Sequence, residues 1–153
     1  MKTTFLFTLF CLLLSMQIHG QKINKNYDEA LAKELKADEF GMKKYVLVIL
    51  KTSNTPELPK STRDSVFKGH MANINLLAAE GKLVVAGPLG KNEAGYRGIF
   101  ILDVEQIEQA KLLVDTDPVV KSKMMTAEYY NWYGSAALKE TLKIHSKIEK
   151  IKH

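Results

Sequence analysis

Of the four histidines in the chain, only His70 falls where chemistry could be built around it. His19 lies in an N-terminal stretch that does not read as part of a fold, and His145 and His153 lie in a lysine-rich tail. His70 follows Val66 by four residues and Phe67 by three, and precedes Ile74 by four. That spacing puts it within the apolar stripe of a helix. A buried imidazole needs hydrogen-bond partners. Asp117, directly before Pro118, offers one, and Asp115 is a rival two residues earlier. A carboxylate on one ring nitrogen fixes the tautomer and readies the other nitrogen to accept a proton, which is the arrangement of a general base. The plainer reading makes His70 a satisfied core residue and Asp117 a helix cap.

Other chemistry finds no footing in the residue pattern. There is no CxxC, HExxH, GxSxG or Walker loop. Gly87, Gly90, Gly95 and Gly98 are close together, but no helix follows them, so they serve a hairpin and not a phosphate cradle. One core histidine with scattered carboxylates gives no metal-ligand spacing. The reading therefore includes neither metal nor cofactor.

The elements that must position His70 follow from periodicity. Tyr45 to Leu50 is a short apolar run rich in β-branched residues, which reads as a buried strand. Pro56 and Pro59 mark a loop. A helix runs from about Ser61 or Thr62 to Glu80, stopped by Gly81, with Val66, Phe67, Met71, Ile74, Leu77 and Ala78 apolar. Strands follow at Leu83–Ala86 and Tyr96–Asp103, then a helix at Gln106–Val114. Asp117-Pro118 opens a short helical turn, and Thr126–Tyr133 is a fourth strand. The order β-α-β-β-α-β is the ferredoxin-like split arrangement, an α+β fold with one antiparallel four-stranded sheet.

Extra helices are expected at both ends: Tyr27–Phe40 within a polar lead segment (21–44), and Ala136–Ile151 with Leu138, Leu142, Ile148 and Ile151 inward. The compact domain spans 45–135 and the basic C-terminal helix 136–153. Tyr129, Tyr130, Trp132 and Tyr133 put aromatics on both faces of the last strand. A helix-free sheet face with aromatics invites association, so a homodimer through that face is expected.

Composition sets the outer bounds. The chain has 153 residues, net charge +5, 46% hydrophobic residues and one cysteine. That fits one folded domain and excludes a disulfide framework within the chain. Thr3–Met16 carries no charge, follows Lys2, and is shorter than the roughly 20 residues a membrane span needs. It reads as a signal-peptide core with cleavage at Gly20/Gln21, giving an exported periplasmic or secreted protein. Cys11 lies inside this run, so the mature chain would be cysteine-free. Lys139, Lys143, Lys147, Lys150 and Lys152 read as a solvated helix face and not a membrane contact. They are not interleaved with aromatics, which speaks against nucleic-acid binding.

The stretch from Tyr45 to about Leu138 resembles the YCII-related (YciI-like) domain family. The resemblance rests on Tyr45-Val-Leu-Val, His70, Gly81-Lys-Leu-Val-Val-Ala-Gly-Pro88, Gly98, Asp117-Pro118 and the aromatic last strand. It implies a ferredoxin-like dimer of the dimeric α/β-barrel type, with a His–Asp pair in a pocket, here His70 and Asp117. One branch is similar to a chlorohydroxyquinol dehydrochlorinase, whose elimination chemistry needs an acid/base and no metal. Many members carry Arg three residues before the His. This chain has Phe67 there, with Arg63 one turn further back.

The leading expectation is thus a metal-independent lyase-like or isomerase-like protein acting on a small, aromatic or hydroxylated molecule. His70 would be the base and Asp117 its orienting group. Arg63, Gly87, Pro88, Leu89, Tyr129 and Trp132 would line the substrate pocket. The alternatives are a non-catalytic small-molecule binder on the same pocket and an interaction module using the terminal helices.

Overall fold

The computed structural model describes residues 24–55 and 57–151. The signal-peptide reading, with Cys11, His19 and the Gly20/Gln21 cleavage point, lies outside the described residues. So do Lys152 and His153. No described helix is long and apolar enough to cross a membrane.

The architecture is α+β. Strands β1 (Met42–Thr52), β2 (Leu83–Pro88), β3 (Tyr96–Leu102) and β4 (Met125–Ser135) form one sheet in the order β2-β3-β1-β4. Each neighbouring pair is antiparallel. Helices α1 (Glu29–Leu35), α2 (Lys60–Ala79), α3 (Ile107–Val114), α4 (Pro118–Lys121) and α5 (Thr141–Ile148) surround it, with a 3-10 turn at Ala136–Glu140 before α5.

Alternation along β1 decides the two faces. Val46, Val48 and Leu50 enter the main core with Phe100, Leu102, Leu77, Ala110, Val114 and Val119. Tyr45 enters a smaller cluster on the other face with Val84 and Ile101, backed by Trp132 and Leu138. Burying each such aliphatic side chain contributes roughly 1.5–3 kcal/mol. The main core is therefore what fixes α2, α3 and α4 over the sheet.

β1 and β4 extend beyond their apolar runs because their pairing continues from Met42↔Ser135 to Thr52↔Met125. At the polar end, Lys43 pairs with Asp103. Helix α2 stops where expected. Gly81 takes φ 68, its N–H donates to the Ala78 carbonyl, and Lys82 N–H donates to the Leu77 carbonyl, the two bonds that close a Schellman stop.

The terminal segments depart from expectation. The lead helix covers only Glu29–Leu35. Asp28 caps it by accepting from Leu31 N–H at 3.0 Å, and Lys36 ends it in the left-handed conformation. The C-terminal segment is not one helix from Ala136. It begins as the 3-10 turn, and Ile148 and Ile151 are 73% and 74% exposed instead of inward. A 3-10 turn advances three residues per turn, so positions counted from Leu138 at 3.6 no longer share its face. Leu138 alone reaches the second cluster from this turn, while Thr141 donates to the Val84 carbonyl at 3.0 Å.

Candidate functional site

Helix α2 carries His70 to the sheet. Val66, Ile74 and Leu77 of the same helix pack into the main core, which sets the rotation of the helix and turns position 70 inward. The imidazole stacks on Phe100 of β3, ring centroids 6.0 Å apart at 29°. Phe67 meets it edge-on at 6.4 Å. Phe67 and Met71 do not belong to the buried stripe: they flank it and are 40% and 41% exposed. An apolar, partly open rim therefore lies beside a ring that is itself 13% exposed.

Asp117 comes from the turn between α3 and α4. It is completely buried. Its Oδ1 accepts from Val119 N–H at 3.1 Å, capping α4, with Pro118 at the first helical position. The same carboxylate accepts from His70 Nδ1–H, at 2.9 Å to Oδ1 and 2.8 Å to Oδ2. A buried carboxylate must find donors, and here a cap and an imidazole supply them. With Nδ1 holding the proton, the second ring nitrogen, Nε2, keeps the lone pair in the neutral tautomer. The arrangement can accept a proton at Nε2 and stabilise the imidazolium through Asp117.

What lets the two elements meet is Gly69. A Cβ at that position would lie 2.8 Å from Pro118 Cγ. The absence of a side chain thus allows α4 to seat against α2 one residue before His70 and one after Asp117. Beside this contact, the Thr116 hydroxyl donates to Asn73 Oδ1 at 2.9 Å. Asn73 Nδ2 is buried with no hydrogen-bond partner among the described residues.

The remaining expected site residues disperse. Arg63, in the first turn of α2, is ion-paired with Glu57. Gly87 and Pro88 lie on edge strand β2, opposite Ile99 and Gly98, and Leu89 continues the ladder by donating to the Arg97 carbonyl at 2.8 Å. Trp132 pairs with Tyr45, so alternation places it on the sheet face opposite His70. Tyr129 shares the helix-side face, on the rung Phe100–Val48–Tyr129. That is two strand spacings from Phe100, roughly 10 Å.

Tyr129 lines a groove of about 390 Å³ with Asp115, Lys111 and Lys123. Burial, helped by the negative charge of Asp115, pushes its phenol up to about 12. Asp115 thus acts on Tyr129, while the contacts from His70 Nδ1 go to Asp117. A second groove, of about 530 Å³, is lined by Lys82, Asp103 and Glu105. Neither groove is lined by His70 or Asp117.

Sequence reasoning overlooked Gly69, Asn73, Lys111 and Lys123. Gly69 carried a signal. A glycine inside a helix costs about 1 kcal/mol relative to Ala, so its place beside the one core histidine marks a close approach. The two lysines carried none, being ordinary surface types at unremarked spacing. Among the described residues, no group of three or more His, Cys, Asp or Glu side chains is placed to hold a metal ion.

The YCII-related domain profile matches residues 44–132. The match spans both α2 and Asp117, and so the whole of the imidazole–carboxylate pair. No curated protein sequence matches the chain. Among solved structures, the chain is similar to a 5-chloro-2-hydroxyhydroquinone dehydrochlorinase from Burkholderia phenoliruptrix, determined in complex with 2,5-dihydroxybenzoquinone. The identity is 21%, the TM-score 0.40, and the alignment covers 57% of this chain and 92% of that one.

Proposed function

The chain belongs to the YCII-related domain family, and from that premise we propose that it is a metal-independent acid–base protein whose working group is His70. Nε2 takes a proton from a C–H or O–H of a small hydroxylated or aromatic molecule. The electron pair left behind forms a new double bond or expels a leaving group as its anion, which is isomerase or lyase chemistry. Asp117 holds the ring and offsets the charge of the imidazolium. The exposed edges of Phe67 and Met71 supply apolar contact for the molecule.

The observation that carries this reading is the pair of contacts from His70 Nδ1 to a wholly buried carboxylate, at 2.8 and 2.9 Å. A core histidine that needed only satisfaction would be served by a single carbonyl. Burying a carboxylate is costly, and one that also holds an imidazole by its Nδ1–H orients the ring for acid–base work. General-base catalysis is worth roughly 10²–10⁴-fold. The test is a panel of phenols and small hydroxy acids, first by thermal shift and then by turnover, with wild type and His70→Gln. Binding retained with turnover lost by that factor supports the base. Binding by both proteins without turnover by either favours a non-catalytic binder, a reading helped by grooves that the dyad does not line.

We also propose that the split β-α-β chain is ferredoxin-like and works as a homodimer. Strand β3 lies between β1 and β2, which the intervening helix α2 joins. Among the described residues, Leu138 and Thr141 cover the second sheet face at one end. Ile49 and Ile99 are paired across β1 and β3, and Tyr130 is 46% exposed nearby on β4. A second copy laid on that face would bury them. Ile49→Glu should then turn a dimer into a monomer in sedimentation equilibrium, and a wild-type monomer would end the proposal. The uncharged Thr3–Met16 run supports export, and the N-terminal sequence of protein from the secreted or periplasmic fraction would test it.

A further inference from the structure

The groove beneath Tyr129 is separate from the His70 pair and does not rest on the reading of that pair. Val120 of α4 and Met125 of β4 line it and pack against the main core. Charged side chains line it as well. Lys111 of α3 holds its ammonium 6.0 Å from the Tyr129 ring centroid, a cation–π placement between two residues that line the groove. Lys123 enters from the α4–β4 turn with φ 58. For a residue other than glycine that conformation costs roughly 1–2 kcal/mol, so the surroundings must fix it. Thr55 does so by donating its hydroxyl to the Lys123 carbonyl at 2.7 Å, and Lys123 N–H donates to the Val120 carbonyl at 2.9 Å.

Lys111 and Lys123 line the groove together with one carboxylate, Asp115, so the lining carries a formal net charge of one positive. The Tyr129 phenol, raised by burial, stays protonated and is therefore a hydrogen-bond donor throughout the physiological range. At about 390 Å³ the cavity is at the small end of ligand sites, which run from roughly 300 to 1,000 Å³. It suits a single ring or a short branched chain.

We propose that this groove binds a small organic monocarboxylate, its carboxylate held by Lys111, Lys123 and the Tyr129 hydroxyl and its apolar body resting on Val120 and Met125. A neutral molecule of the same shape would lose the ammonium contacts. A dianion would meet Asp115 with a charge that nothing balances.

The test uses benzoate as probe and benzamide as its neutral counterpart, each titrated into the full chain and followed by amide NMR shifts. Benzoate should shift the amides between Asp115 and Tyr129 with saturation in the millimolar range or tighter, and benzamide should bind at least about tenfold more weakly, one unit of roughly 1.4 kcal/mol. Lys123→Gln should weaken benzoate by a similar factor. Lys111→Gln is the second variant in case the turn tolerates no change at position 123. His70→Gln should leave benzoate affinity unchanged, which separates this site from the proposed active one. No shift at millimolar benzoate, equal binding of benzamide, indifference to both lysine variants, or shifts centred on His70 would each overturn the proposal.

Discussion

Asp115 and Asp117 stand two residues apart, and the chain uses them in opposite ways. Asp117 is completely buried and accepts from a helix N–H and from His70. Asp115 is exposed at the rim of a groove, where its charge acts on the Tyr129 phenol. In the first region α2 and α4 pack so closely at Gly69 that a Cβ there would meet Pro118. The second is a groove lined by Lys111, Lys123, Val120 and Met125. One loop thus presents a buried carboxylate to α2 and an exposed one beside Tyr129 of β4. The difference matches the two roles proposed: a proton-transfer pair would need its atoms held closely in place, whereas a site selecting a charged small molecule would need only the right sign of charge over a surface of the right size.

The contrast breaks first at the carboxylates themselves. Asp117→Ala removes a cap and strands a buried Nδ1–H, and should cost about 2–4 kcal/mol in urea unfolding. Asp115→Ala should stay within about 0.5 kcal/mol in the same experiment. Equal losses would mean that the two positions are not different in kind.

Next is Gly69→Ala. In an unconstrained helix that change would stabilise by about 1 kcal/mol. Here the new Cβ meets Pro118, so a net loss of roughly 1–3 kcal/mol is expected. A gain in melting temperature would show that the seam yields.

The open region is sharpened by alkaline pH. Tyr129 in the folded chain keeps its proton until about 12, while an unfolded phenol ionises near 10. The folded state therefore binds more protons between those values. Stability is full below about pH 10 and falls as pH rises toward 12. Tyr129→Phe should flatten part of that fall in unfolding curves taken across the range. Tyr45, held up to about 12 chiefly by burial and also by Asp103, should contribute a similar share from the other sheet face. An unchanged slope in Tyr129→Phe would remove the phenol from the account.

The smallest effect is expected at α5, where Ile148→Ser should change stability by less than about 0.5 kcal/mol, since that side chain lies in solvent.

Legibility in the sequence followed locality. The strands and α2 could be read because apolar period and glycine stops act within a few residues, as Gly81 does at the end of α2. Asp117-Pro118 announced its cap in the same way. The proximity of His70 and Asp117, 47 residues apart, could be suspected from chemistry but not measured from it. Trp132, expected to line the pocket with Tyr129, lies on the face away from His70, because its face is set by register with Tyr45. Ile148 and Ile151 face solvent, against the periodicity, because a 3-10 turn upstream changes the angular count. The Tyr129 groove assembles residues from four separate segments, and no local pattern reports such a meeting.

The central claim concerns one imidazole: Nδ1 of His70 carries the proton given to Asp117, and Nε2 is left free to accept another. Nitrogen-resolved NMR of the His70 ring in wild type reads the tautomer directly, with Asp117→Asn as the control for assignment of the Nδ1 partner. The account predicts a neutral ring protonated at Nδ1, with an Nε2 signal that moves when a phenolic ligand binds. A ring protonated at Nε2, or an Nε2 signal indifferent to every ligand that the protein takes up, would contradict it.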